Sequence, residues 1–146
     1  MTALLIFLAA TALADNLTVR PRTPEIVHYP CSTCHKDNLT GRRNPHPNIA
    51  LKHATEATLT CRTCHGNQKM ESLLSLNGKP IAFDDAYQLC GQCHSTQLKD
   101  WKGGAHGKRL SGWAEPRVIQ NCTGCHNPHA PALGKRWPAT RSSFKR

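Results

Sequence analysis

Aromatic residues make up only 5% of this 146-residue chain, and its mean hydropathy is −0.51. So sparse a supply of large apolar side chains excludes an ordinary hydrophobic core; a chain of one-domain length then needs staples or a cofactor. Acidic residues are scarce as well, nine against 19 Lys and Arg, and no pair of them is placed for acid–base catalysis. Beyond Thr2 to Ala14 no stretch is apolar enough to span a bilayer. Past the N-terminus the only methionine is Met70, and no cysteine stands alone.

What is present is a set of eight cysteines in four C-x-x-C pairs: Cys31/Cys34, Cys61/Cys64, Cys90/Cys93 and Cys122/Cys125. A histidine follows each pair at once, as His35, His65, His94 and His126. Histidine is only 9 of 146 residues, so chance does not put one after every pair. C-x-x-C-H is the attachment signature of c-type haem. Two thiols from one short turn form thioethers with the two neighbouring vinyl groups, and the adjacent imidazole lies under the iron as its proximal ligand. Zinc ribbons also use C-x-x-C knuckles but need no histidine after each one. Disulfide frameworks spread their cysteines to close long loops, and a thioredoxin-like pair is expected once, within a βαβ unit. The motif therefore predicts four covalently bound haems c, with the eight cysteines as attachment points.

Successive first cysteines are 30, 29 and 32 residues apart, and so short a repeat cannot bury a macrocycle alone. Neighbouring haems must share loops and pack closely. The fold expected is mainly irregular, with a few short α-helices wrapped around four haems and little β-structure. Residues 82–101 make the best helical stretch, with Asp84 or Asp85 as cap, running through the third motif to Gly103-Gly104. Asn77-Gly78 suits a tight type I′ hairpin within 73–83, with a short helix over 68–76 as the rival. The expected organisation is an export leader over 1–14, a linker over 15–27, a haem domain over 28–134 and a basic tail over 135–146.

Five histidines lie outside the motifs: His28, His46, His53, His106 and His129. Four suffice to give every iron a second imidazole, leaving one spare. His53 lies eight residues before Cys61, and His106 sits between small neighbours that admit a close approach. His129 is too near His126 to reach the far side of the same haem, so a neighbouring haem is its expected target. His46, between Pro45 and Pro47, is favoured over His28 for the fourth place. No free histidine lies between His65 and His94, so at least one distal ligand must come from far along the chain.

The apolar run over 2–14 ends in Ala12-Leu13-Ala14, an A-x-A-like cleavage site. Thirteen residues are too few to span a bilayer, so the run reads as a secretory signal; no Lys or Arg precedes it, and an uncleaved anchor is the alternative. The expected location is periplasmic or extracellular.

With its repeated C-x-x-C-H and its surplus of histidines, the chain resembles the small tetrahaem cytochromes of class III type over about residues 28–134. Cys122-Thr123-Gly124-Cys125-His126-Asn127-Pro128-His129 is similar to a segment that recurs in periplasmic pentahaem and decahaem electron carriers. The resemblance implies bis-histidine irons and electron transfer, not catalysis.

The formal charge is +10. Eight ionised propionates and four ferric irons would bring it to about +6 oxidised and +2 reduced. A basic surface steers acidic partners, so other redox proteins are expected, such as a quinol dehydrogenase or a terminal reductase; nucleic acid is not. Two alternatives stay open: a polymeric filament in which a spare histidine ligates the next copy, and a small reductase with one open iron.

Overall fold

The structure is a computed structural model, and it describes residues 17–35, 46, 48–55, 59–66 and 70–134. The expected leader over 1–14 and the basic tail over 135–146 lie outside the described residues. Regular structure is thin. The strands are β1 (Leu17–Val19), β2 (Leu73–Leu74), β3 (Pro80–Ile81) and β4 (Arg117–Ile119). The helices are α1 (Cys61–Cys64), α2 (Ala86–Cys93) and α3 (Ser95–Gly103), with 3-10 turns at Thr23–Glu25, Cys31–Thr33, Phe83–Asp85 and Cys122–Gly124. Loop accounts for most of the remainder, as expected of a chain with ten prolines and ten glycines.

A hairpin does form at β2 and β3, pairing Leu73 with Ile81 and Leu74 with Pro80. Its turn differs from the expected two-residue type I′. Gly78 N–H donates to Ser75 O at 2.9 Å, Ser75 N–H donates to Lys79 O at 2.8 Å, and only Gly78 has positive φ, +80°. That is a turn over 75–78 followed by a left-handed glycine, the three-residue hairpin loop. Asn77 keeps negative φ, so the loop takes one more residue than a type I′ turn allows.

The expected long helix is broken in two at His94, whose φ of −103° and ψ of 54° leave the helical track. Asp85 occupies the N-cap position of α2 without a side-chain bond to it. Past the break α3 folds back on α2, and the two touch where Leu98 lies against Gly91. A Cβ at Gly91 would overlap Leu98 Cδ2 and stand only 3.1 Å from Cγ. The absence of a side chain at Gly91 sets how closely the helices approach.

Asp84 has a different use. Its Oδ1 accepts the main-chain N–H groups of Arg22 and Thr23, both at 2.6 Å, and so anchors the start of the 3-10 turn at Thr23–Glu25. Its carbonyl accepts a bond from Nδ2 of the buried Asn121 at 2.8 Å. One residue thus ties the N-terminal stretch to the residue that precedes the fourth motif. The N-terminal stretch, expected as a linker over 15–27, is held further by β1, which runs parallel to β4 with Leu17, Thr18 and Val19 opposite Arg117, Val118 and Ile119.

The fully buried apolar residues are few among those described: Leu73, Ile81 and Ala86, with Phe83 and Leu89 packed against them, and separately Trp101 and Ile119. Trp101, 2% exposed, stacks on Tyr87 with centroids 4.9 Å apart and donates its indole N–H to Gln120 O at 2.9 Å.

Two outcomes are expected. The N–H groups of Thr23 and Arg22 hold the Asp84 carboxyl below its ordinary value of 3.8. A depressed folded pKa contributes stability that is complete above about pH 4 and is lost as pH falls further. Asp84→Asn should therefore speed amide exchange over 17–25 at neutral pH. It should cost on the order of 1 kcal/mol in thermal unfolding, a difference that closes as the pH falls through the lowered carboxyl pKa. Gly91→Ala should displace α3 from α2 and destabilise the haem-loaded protein by about 1–3 kcal/mol, read by its unfolding midpoint.

Candidate functional site

The four C-x-x-C-H segments adopt one local geometry. In each, the histidine N–H donates to the carbonyl of the first cysteine: His35 to Cys31, His65 to Cys61, His94 to Cys90 and His126 to Cys122, every one at 2.9 Å. This is a single helical turn, drawn as a 3-10 turn in the first and fourth motifs and as α-helix in the second and third. One turn brings the i and i+3 thiols to the same side and starts the histidine outward at its end. Side-chain bonds support two of the turns: Thr60 N–H donates to Thr63 Oγ1 at 3.0 Å in the second motif, and in the first Ser32 Oγ donates to the distant Glu71 Oε1. None of the eight cysteines is paired in a disulfide.

Each motif histidine then has one partner histidine ring from elsewhere in the chain; His65 also meets Phe83, at 6.4 Å. Ring centroids are 6.0 Å apart for His35 and His46, 5.9 Å for His53 and His94, 6.2 Å for His65 and His129, and 6.1 Å for His106 and His126. Three pairs lie within 21° of parallel and the His35/His46 pair is tilted at 51°. The matching is one to one. Of the two rivals for the fourth place, His46 is the one that faces a motif histidine, His35. His28 is exposed on a left-handed backbone (φ +69°), and no histidine ring pairs with it among the described residues.

Local structure explains where the partner rings sit. His106 follows the C-cap of α3: Gly104 is left-handed at φ +86°, and the N–H groups of Ala105 and His106 turn back to Asp100 O at 2.8 and 3.2 Å. Gly107 beside it has φ +88°, and a Cβ there would stand 2.7 Å from Trp101 Cδ1. The small residue that sequence reading took as room for a cofactor makes room for the buried indole. Ala54, with φ +59°, bends the chain directly after His53, and Lys52 N–H donates to His129 O at 2.6 Å, strapping two histidine loops together. His126 and His129 share one turn, closed by Asn127 Oδ1 accepting from His129 N–H at 3.0 Å, yet face different partners.

Electrostatics add two points. Burial pushes the Cys31 and Cys64 thiols up, with Glu71 adding to the first and the sulfurs of Cys90, Cys93 and Cys61 to the second. A hydrogen bond between Cys90 and Cys122 pushes Cys90 up, with burial adding to it, and draws Cys122 down against the effect of burial. The second, third and fourth motifs are therefore neighbours in space. Burial lowers the His65 and His129 pKa values, and proximity of other imidazoles lowers them further. These rings are neutral at pH 7, the form that ligates metal.

The residues fit haem c. Two imidazoles on opposite sides of one metal, each with a metal–nitrogen bond of about 2 Å, have centroids about 6 Å apart. His126 Nδ1 lies 2.8 Å from Pro131 O, so its N–H points to the carbonyl and leaves Nε2 free for a metal. His65 Nδ1 is buried with no partner among the described residues. No group of three or more Cys, His, Asp or Glu side chains among the described residues encloses a metal-sized site, so the zinc-ribbon arrangement finds no cage. No described helix is long and apolar enough to cross a membrane.

No curated protein and no solved structure is a match to this chain. The model of the class III cytochrome c family matches residues 40–140, a span that takes in the second, third and fourth motifs together with His46, His53, His106 and His129. Multihaem composition, covalently bound haem c and electron transfer follow from that match: the chain belongs to the class III cytochrome c family.

Proposed function

We propose that the chain is an exported tetrahaem carrier that passes electrons between redox partners through a chain of close bis-histidine haems. The observation that carries this reading is the one-to-one pairing of all four motif histidines with a second ring at 5.9–6.2 Å. On this reading Cys31 and Cys34, Cys61 and Cys64, Cys90 and Cys93, and Cys122 and Cys125 attach the four haems. His35, His65, His94 and His126 are proximal; His46, His129, His53 and His106 are their distal partners in that order. Each bound haem supplies a one-electron ferric/ferrous couple.

The residues do the rest. Imidazoles on both sides leave no open coordination position, so electrons pass without substrate binding and any catalysis belongs to a partner. The Pro131 carbonyl fixes the His126 ring and raises its basicity as a ligand. Contact between the second, third and fourth motifs, through Cys64, Cys90 and Cys122, supports close haems. A surplus of basic over acidic residues, 19 to nine, supports acidic partner surfaces such as those of a quinol dehydrogenase or a terminal reductase. The apolar run over 2–14 supports a periplasmic or extracellular location.

One observation favours a second reading. His28 is exposed and unmatched, and so is available to a haem of another copy in a filament.

Low-temperature electron paramagnetic resonance of the oxidised protein should show only low-spin iron, unchanged by nitrite or cyanide. His106→Ala should convert one haem of four to a high-spin, cyanide-binding form and leave the others as they were. An intrinsic high-spin signal that shifts with nitrite would replace the carrier by a reductase. His28→Ala should leave the haem count and the sedimentation coefficient unchanged; loss of a large assembly in that variant would favour the filament.

A further inference from the structure

Trp113 is 91% exposed, more than any other large apolar residue described. Single exposed apolar residues are ordinary, but this one stands on a loop with an unusual number of fixings. Residues 108–110 and 118–120 form a short antiparallel ladder through Leu110 N–H to Val118 O and Gln120 N–H to Lys108 O, both at 2.9 Å. The loop over 111–116 is its tip. Arg109 reaches under that tip and donates to Trp113 O at 2.8 Å and Ala114 O at 3.0 Å. Its guanidinium also lies 5.6 Å from the Trp113 ring centroid and 3.6 Å from Glu115. Ser111 Oγ donates to Pro116 O at 3.3 Å, and Arg117 N–H to Glu115 Oε2 at 2.8 Å. Gly112, at φ +65°, provides the bend.

A loop pinned at this many points has already lost the freedom that docking would otherwise remove, and that is how a preorganised contact gains affinity. Trp and Arg are among the residue types most enriched at the energetic centres of protein interfaces, and a guanidinium near the indole face holds the two together. The hairpin legs start two residues from His106 and two from Cys122, so whatever grips the tip is held beside that pair. The segment 100–117 that carries the loop holds Lys102, Lys108, Arg109 and Arg117 against Asp100 and Glu115. Only Trp113, Ala114 and Pro116 are apolar in the loop, too little for a lasting hold on a lipid surface. A single projecting ring suits a pocket in another protein.

We propose that the Trp113 loop is the docking anchor for an acidic redox partner, with Trp113 entering an apolar pocket and the surrounding cations facing carboxylates. This rests on the carrier reading above. Each encounter passes one electron from the partner to one ferric iron.

The test uses the haem-loaded protein and an acidic flavodoxin in its reduced form, in stopped-flow at low salt. Trp113→Ala should raise the apparent Kd of the electron-transfer complex about tenfold or more, while the limiting rate, the Soret spectrum and reduction by dithionite stay unchanged. Trp113→Phe should recover part of the affinity. Equal Kd values for the parent and the alanine variant would overturn the proposal and leave the carrier intact. A changed Soret band or dithionite rate in the variant would overturn it too, by putting Trp113 against a haem of its own chain. Loss in the variant of binding to phosphatidylglycerol vesicles, or of a dimer, with no change in Kd would assign the loop to a membrane or a second copy. Failure of flavodoxin to reduce the parent while dithionite still does would overturn the docking proposal and leave the carrier intact.

Discussion

Among the described residues the buried apolar side chains are Leu73, Ile81, Ala86, Trp101 and Ile119, a core too small to hold a chain of this length together. Cohesion has to come from contacts that the protein makes through something other than its own apolar side chains. The four facing histidine pairs are where those contacts would be made, each joining two stretches of loop that share little regular hydrogen bonding. Clasped to a common metal, such a pair is far stronger than any surface contact, and the thioether turns beside it leave the cofactor as the surrounding core.

Secondary structure is subordinate to that requirement. The one long helical stretch breaks at His94, because a histidine that stayed on the helical track would point with the flank of α2 and not across to His53. Gly91 then lets α3 return against α2, and the C-cap of α3 delivers His106 to His126. Trp101 serves both ends of this path. It closes α3 and packs against Gly107, and its bond to Gln120 O fixes the residue two positions before the fourth motif. Asp84 plays a similar part for the N-terminal stretch.

Much of this was legible in the sequence, and the parts that were not have physical causes. C-x-x-C-H is a local code, and one helical turn is its local consequence, so the common geometry of the four motifs follows from the sequence itself. The irregular fold followed from the shortage of apolar residues. The break at His94 could not be seen, since the one helix-weakening residue between Ala82 and Trp101 is Gly91, which stays inside α2; at the break itself the histidine faces a ring 41 positions away. The role of Asp84 was hidden for the same reason, its partners being Arg22 and Thr23. The hairpin was signalled by Asn77-Gly78, but Ser75 closes the loop with Lys79 and shifts the turn type. A projecting tryptophan gives no periodic signal at all, and the fixings of the Trp113 loop emerge only from coordinates.

Drawn as arcs along the chain, the pair His53–His94 crosses the pair His65–His129, and His106–His126 nests inside the latter. Crossed arcs mean that the number of haem motifs and the number of intact clasps do not fall together. A chain ended just after α3 would retain three of its four attachment motifs but only two of its four clasps, because His65 loses its partner along with the last motif. Such an architecture does not shorten by one unit at a time, and lineages that vary its motif number would have to rewire the arcs in the same step.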